Sequence, residues 1–406
     1  MLETPLLLPC GLRVANRIVK ASMTERLAGA AGDPPAELVR LYQRFASGGT
    51  GLLLTGNVMV DAAHLEAVGN AVLETDRDLP AFAAWADAGA ALGVPTIMQL
   101  NHPGRQVPRT LSQRPVGPSE IGVRGYGFFA RPRALSAGEI EQVVERFAES
   151  AVLAERAGFA GVEVHAAHGY LLSQFLSPNV NRRSDAWGGS LENRARILLQ
   201  VVDRVRERVS PKFAVGVKLN AGDFVKGGLM PDEAAQIMRW LDQRALDFIE
   251  LSGGTFERPA SFGDGLREST KAREGYFLEL AAAARTTTSI PLIVTGGFRS
   301  KRAMQDALVS GACDLVGLAR PLAVEPDLPK RMFEGTAARA TQVKLALPRG
   351  PIGPLAELYW YRAQLGRLAL GESSRRGGSA LSTLVTQMLR DIGKLLCQLW
   401  QRRAGH

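Results

Sequence analysis

Cysteine is scarce in this 406-residue chain. Cys10, Cys313 and Cys397 stand far apart, so neither a disulfide framework nor a four-cysteine cluster or zinc site is expected from them. Free thiols suit a cytoplasmic protein. Nowhere does an uncharged apolar run reach the length of about eighteen residues that a spanning helix needs. The opening stretch, MLETPLLLPCGLRVANRIVK, shows no charged leader ahead of its short apolar run and no small-residue cleavage site, so secretion is not expected. Aromatics make up only 6% of the chain, and no stretch interleaves them with basic residues, which removes the usual signature of a nucleic-acid face.

The net charge of +9 is unevenly placed. From Thr336 onward there are 11 lysines and arginines against 3 acidic residues, leaving 38 against 37 before it. The body is neutral and the tail is basic. With 46% hydrophobic residues, the chain has enough apolar material to bury a large core.

Apolar, β-branched runs recur, each followed by a longer amphipathic stretch: IVKASM from Ile18, GLLLTGN from Gly51, PTIMQL from Pro95, AGVEVH from Ala160, FAVGVKLN from Phe213, DFIELS from Asp247, PLIVTGG from Pro291 and DLVGLA from Asp314. Strands buried on both faces and separated by helices form a parallel sheet, and eight such units within about 320 residues predict an α/β fold of the closed (β/α)8 TIM-barrel type. An open doubly wound sheet is disfavoured because the first strand lacks a G-x-G-x-x-G turn. Helices are expected at Pro35 to Ser47, Leu79 to Leu92, Ala137 to Ala157, Ser190 to Arg208, Asp232 to Arg244, Glu274 to Thr287 and Ser300 to Ser310. The long Gly-, Pro- and Arg-rich loop from Asn101 to Ser136 reads as a lid or binding segment. The predicted organisation is a barrel over residues 1–335 and a basic, helical C-terminal extension over 336–406. Leu381, Leu384, Val385, Met388, Leu389, Ile392, Leu395, Leu396, Leu399 and Trp400 recur at three- and four-residue steps, predicting one amphipathic helix. Packing on the barrel, a homo-oligomer contact, or a peripheral membrane contact would each use such a stripe.

Reactive groups of a barrel gather where strands end, at the C-terminal face. The polar strand-end residues here are Thr24, Asn57, Gln99, His165, Lys218, Ser252, the pair Gly296/Gly297 and the pair Ala319/Arg320. The last two pairs follow strands seven and eight, where backbone N–H groups and a short helix start often hold a phosphate; glycines needed only for a turn are the alternative. The stretch EVHAAHGYLLSQFLSPN from Glu163 sets His165 and His168 three apart with Tyr170 two further on. Zinc, with His102 as a third ligand, is a poor match, because no Asp, Glu or Cys accompanies the pair at ligand spacing. Two N–H donors beside a phenol suit the polarisation of a carbonyl or nitro oxygen while Tyr170 delivers a proton. Two satisfied core histidines would look the same in sequence.

The segment HAAHGYLLSQFLSPNVNRRSDAWGGSLENRARIL resembles the His-x-x-His-Gly-Tyr and Gly-Gly-Ser-x-x-Asn-Arg segments of the Old Yellow Enzyme family of flavin-dependent ene-reductases. NRIVKASMT, QLNHPGRQ, GVKLNAGDF, IVTGGFRS and DLVGLARPL match that family in order, from about Leu6 to Phe333. The resemblance implies a barrel that holds FMN tightly and non-covalently, is reduced by NADH or NADPH, and passes hydride to a small, electron-poor alkene. It implies that Thr24 and Asn57 contact the flavin, that Gln99 holds its pyrimidine edge, and that Lys218 stands where the family has Arg, beside N1 and O2. Gly296, Gly297, Ala319 and Arg320 would take the phosphate. His165 and His168 would grip the substrate oxygen and Tyr170 would protonate the α-carbon. No metal is implied.

Thr24 replaces the cysteine of many bacterial members, and Arg26 stands where many place a substrate-stacking tyrosine, which points to a more polar pocket or an anionic substrate group. The chain shows no cysteine-ligated cluster of the dienoyl-CoA reductase branch. Two other functions share these residues: an FMN-dependent desaturase or demethylase of a specialised metabolite, and a metal-dependent barrel aldolase or hydrolase using His165, His168 and His102.

Overall fold

In the computed structural model, which describes residues 1–124, 127–255, 257, 274–348 and 352–403, all eight expected strands are present and close on one another. They are β1 (Ile18–Lys20), β2 (Leu52–Met59), β3 (Thr96–Asn101), β4 (Gly161–Ala166), β5 (Ala214–Asn220), β6 (Phe248–Ser252), β7 (Leu292–Thr295) and β8 (Leu315–Leu318). Each pairs in parallel with the next, and β1 pairs with both β8 and β2, so the barrel has no free edge. Closure accounts for the unbroken apolar runs: every residue of β2 through β6 is buried, as strands covered on both faces require. A short antiparallel hairpin, Leu6–Leu7 with Arg13–Val14, closes the N-terminal end. Its Leu8 and Val14 pack on the lowest inward layer, including Val19, Leu52, Ile97, Phe248 and Leu315. The C-terminal end stays open.

Among the described residues, the main helices packed around the strands are α1 (Ala36–Ser47), α2 (Leu79–Ala90), α3 (Ala137–Arg156), α4 (Leu191–Arg208), α5 (Pro231–Asp242), α6 (Leu278–Arg285), α7 (Lys301–Val309) and α8 (Leu328–Phe333). Local chemistry sets their starts. Ser136 and Glu139 form a capping box on α3, with Ser136 Oγ accepting the Glu139 N–H at 3.3 Å and Glu139 Oε2 accepting the Ser136 N–H at 2.8 Å. Ser190 and Ser300 cap α4 and α7 through their hydroxyls alone, which accept the N–H groups of Asn193 and Ala303. Helix α6 begins four residues later than the sequence suggests, because Glu274 is occupied elsewhere: its Oε2 accepts the N–H groups of Arg299 and Ser300 at 2.7 and 2.9 Å, ahead of α7.

The extension contains two long helices, α9 (Ile352–Ala369) and α10 (Ala380–Arg403), where the sequence pattern shows only the second. Helix α9 is wedged between the barrel and α10 and buries Trp360, Arg362, Gln364 and Leu365 on several sides, so no single stripe marks it. Ala356, Trp360, Ala380 and Leu384 build a small separate core on Val324 of the short helix Arg320–Val324. Arg40 and Arg44 of α1 add donors to the carbonyls of Ala369 and Glu372 at 3.1 and 2.7 Å. Helix α10 thus packs through Ala380, Leu384 and Gln387, while Leu381, Val385, Leu389 and Leu396 lie exposed in a stripe along its other side. Among the described residues no helix is long and apolar enough to cross a membrane.

Candidate active site

The open barrel end leads into a cavity of about 760 Å³, lined by Thr24, Arg26, Asn57, Gln99, His165, His168, Tyr170, Lys218, Ser252, Gly296, Gly297, Ala319 and Arg320, every strand-end residue singled out in the sequence. Its size falls within the roughly 300–1,000 Å³ typical of small-molecule sites. The long loop after β3 contributes Pro108, Thr110, Leu111, Phe128 and Phe129 to its wall.

A bulge in β2 aims Asn57 at the mouth. The register with β3 shifts between Leu54 and Asn57, where the Tyr42 hydroxyl accepts the Gly56 N–H at 3.0 Å and Thr55 Oγ1 accepts the Gln99 N–H at 2.9 Å. Behind it, fully buried Lys20 donates to Glu25 at 3.1 Å and to Tyr42 and the Leu54 carbonyl at 2.8 Å, pinning the segment after β1. Arg26 on that segment adopts a φ of 54°, a left-handed conformation that a non-glycine residue holds only where its surroundings over-determine it.

His165, at the end of β4, accepts the Ala167 N–H on Nδ1 at 3.2 Å. Burial, followed by the neighbouring His168 and the Lys218 cation, holds its imidazole well below the usual range, so it is neutral with its hydrogen on Nε2. His168 sits at φ 59° with its N–H held by Asn220 Oδ1 at 3.2 Å. Burial lowers it to about 3, and its Nε2 lies 2.8 Å from the Ser252 hydroxyl. A hydrogen on His168 Nδ1 goes with Ser252 donating to Nε2, and one on Nε2 goes with Ser252 accepting. The His165 ring meets those of His168 and Tyr170 edge-on, with centroids 5.2 and 4.9 Å away. The two imidazoles and the phenol of the sequence motif therefore share one wall.

Below them lies a layer of buried charge. Lys218 on β5 pairs with Glu250 on β6 at 2.9 Å, and Gln99 Nε2 donates to Glu163 Oε2 at 2.6 Å. Burial and the facing Glu250 push the Glu163 carboxyl well above the usual carboxylate range, whereas at Glu250 burial is outweighed by the Lys218 cation together with hydrogen bonds from Glu163 and Thr295, which hold the carboxyl below it. Opposite, Gly296 and Gly297 end β7 at φ 139° and 83°, and a Cβ at Gly297 would lie 2.4 Å from the Tyr276 ring, so only glycine leaves this backbone open to the cavity. Arg320 pairs with Glu357 of α9 at 2.9 Å.

Two sets of site residues are absent from the sequence reading. The first is the roof: Tyr359, Arg362, Met388, Asp391, Ile392 and Leu395 of α9 and α10 line the cavity. Arg362 grips Asp391 through both terminal nitrogens, one contact measuring 2.6 Å. The second is Glu66, 7% exposed, between β2 and α2. Its Oε1 accepts from Arg26 Nη2 at 2.9 Å and Thr24 Oγ1 at 3.2 Å, and its Oε2 from Asn57 Nδ2 at 3.0 Å and from the Tyr170 hydroxyl in a very short contact. Although burial raises a carboxyl, Arg26 and these donors outweigh it and hold Glu66 below the usual range. The Arg26 guanidinium, expected to greet an anionic substrate group, is thus already matched by Glu66 and by the Tyr359 hydroxyl at 3.3 Å. A lone carboxylate amid the small apolar residues of AAHLEAVG was the available signal.

His102 does not join His165 and His168. Among the described residues, its ligand atoms cluster instead with those of Asp61 and His64, where His64 Nδ1 lies 2.9 Å and the Arg146 guanidinium 3.7 Å from the Asp61 carboxylate. The three-histidine arrangement that a metal-dependent aldolase or hydrolase would need is not assembled.

Residues 4–339 match the model of the NADH:flavin oxidoreductase / NADH oxidase family. The chain is 39% identical over 390 residues to the NADH-dependent flavin oxidoreductase iliE of Hypocrea jecorina (strain QM6a), covering 90% of this chain and 96% of that protein. It is 42% identical over 354 residues to a protein of the same name from Neonectria sp. (strain DH2), where the match covers 80% of this chain but only 46% of the relative. The structure of an old yellow enzyme homologue from Zymomonas mobilis superposes with a TM-score of 0.73 at 26% identity, covering 84% of this chain and 95% of the other.

Proposed function

Because this chain belongs to the NADH:flavin oxidoreductase / NADH oxidase family, as an enzyme of the Old Yellow Enzyme type that uses FMN and a reduced nicotinamide, we propose that it reduces the double bond of α,β-unsaturated carbonyl or nitro compounds. Bound at this rim, FMN would supply the hydride chemistry that links the nicotinamide to the β-carbon of such an alkene. NADH is the proposed co-substrate, in line with the two fungal relatives named NADH-dependent.

The cavity's donor set fits that cofactor. Asn57 Oδ1 is buried without a hydrogen-bond partner, an acceptor suited to a ring N–H of the flavin. Gln99 keeps its carbonyl oxygen available once its amide nitrogen has donated to Glu163. Lys218 supplies a cation for the pyrimidine side, tempered by Glu250, and Thr24 would reach the opposite edge. Gly296 and Gly297, with Ala319 and Arg320, would hold the phosphate through open backbone and a guanidinium.

The observation that carries the reading is the shared wall of His165, His168 and Tyr170. His165 Nε2–H and His168 Nδ1–H would hold the substrate's electron-withdrawing oxygen as charge grows on it, and Tyr170 would protonate the α-carbon. Steady-state reduction of cyclohexenone by the yellow holoenzyme with NADH tests this; bound flavin without turnover overturns it. Oxidative desaturation or demethylation of a specialised metabolite is the second reading. It is favoured by one observation: the Tyr170 hydrogen already points at Glu66. For the exposed stripe of α10 the proposed occupants are a second copy of the chain or a membrane surface. Sedimentation, together with vesicle flotation with and without residues 371–406, separates the two.

A further inference from the structure

The partner of Tyr170 is what sets this site apart from a simple proton donor. A phenol that must give its hydrogen to carbon is helped by neighbours that stabilise the phenolate, namely cations and N–H donors. Here the hydroxyl donates instead to Glu66 Oε2. That carboxylate is kept ionised by Arg26 at 2.9 Å and is further bound by Asn57 at 3.0 Å and Thr24 at 3.2 Å. The arrangement is buried around Glu66 and draws on the segment after β1, the bulge of β2, the loop before α2 and the segment after β4. An anion in that position attracts the phenolic hydrogen, so the oxygen it leaves behind is a base facing the cavity.

Resting on the reading that His165 and His168 hold a carbonyl oxygen, we propose that Tyr170 and Glu66 form a proton relay that removes and returns the α-hydrogen of a saturated ketone, a proton-exchange activity with no net oxidation or reduction. The Cα–H bond breaks and its electron pair becomes the C=C bond of the enolate, whose oxygen accepts from His165 Nε2–H and His168 Nδ1–H. The proton passes to the Tyr170 oxygen as the phenolic hydrogen moves to Glu66 Oε2. The hydrogens on Tyr170 and Glu66 then exchange with solvent, the transfers run backward to deliver a solvent-derived hydrogen to the α-carbon, and no electron leaves the substrate. Tyr170 touches the substrate, and Glu66 acts through it. Burial and the adjoining carboxylate both keep the phenol neutral at rest, as a relay that starts from Tyr–OH and Glu⁻ requires.

Oxidised holoenzyme in D2O, given cyclohexanone and no nicotinamide, tests the relay by mass spectrometry of the recovered ketone. Deuterium should enter the α-positions faster than in buffer, and Glu66→Gln and Tyr170→Phe should each slow entry on the order of 10²-fold while the proteins keep their yellow colour after dialysis. Glu66→Asp should restore part of the rate. Exchange unchanged in Glu66→Gln overturns the inference, as does an unlabelled ketone whose binding is proved by a shift of the flavin band. Absence of both the band shift and cyclohexenone reduction overturns the carbonyl-binding reading and the relay with it. If Glu66→Gln loses its flavin, Tyr170→Phe, which leaves the Glu66–Arg26 pair intact, carries the test.

Discussion

At the scale of single residues, function rests on keeping two imidazoles neutral and aimed. Replacing His165 by Asn should lower kcat/KM for cyclohexenone on the order of 10²- to 10³-fold, the cost of one lost oxyanion-type donor. The same burial makes folding pH-sensitive. His168 is held at about 3 against an ordinary 6.5, and His165 well below it, so below pH 6.5 the unfolded chain takes up protons that the native one refuses. The histidine contribution is complete above pH 6.5 and shrinks as pH falls. Between pH 6.5 and 5 it should decline by roughly 2 kcal/mol per histidine, visible as a falling Tm that flattens in the His165→Asn, His168→Asn double variant. In the charged layer, Glu250→Gln frees Lys218 from its counter-charge and should raise the flavin midpoint potential on the order of 30 mV, read by dye-coupled redox titration. The strand-end residues were legible because parallel barrels place function at one rim. Glu66 was not, because its importance lies in four partners from distant segments that no local pattern records.

At the scale of elements, strands and barrel helices were legible because two-sided burial leaves unbroken apolar runs and serine caps mark the helix starts. The late start of α6 was hidden by Glu274, whose tertiary partner is the next helix, and α9 was hidden by its burial on several sides. Trp360, 1% exposed in the small core under the roof, links α9 to α10. Trp360→Ala should cost about 3–5 kcal/mol and lower Tm, and by loosening the roof it should raise KM for cyclohexenone. At the end of β7, Gly297→Ala combines a φ of 83° with a collision against Tyr276. It should weaken FMN retention roughly tenfold, as measured by flavin fluorescence after dilution.

At the scale of the whole molecule, the division between a neutral body and a basic tail appears in sequence as a change in composition. Its structural meaning is a barrel whose open end is covered by the chain's last two helices. Arg320, placed at the proposed phosphate position, is matched by Glu357 from that cover. The order of the polypeptide then becomes an order of events. A ribosome releases the eight strands and their cradle before α9 and α10 exist, so a nascent chain meets its cofactor through an uncovered doorway. Mature protein stripped of flavin must instead admit it past that cover, and its reloading is expected to be slower than that of chains synthesised in the presence of FMN.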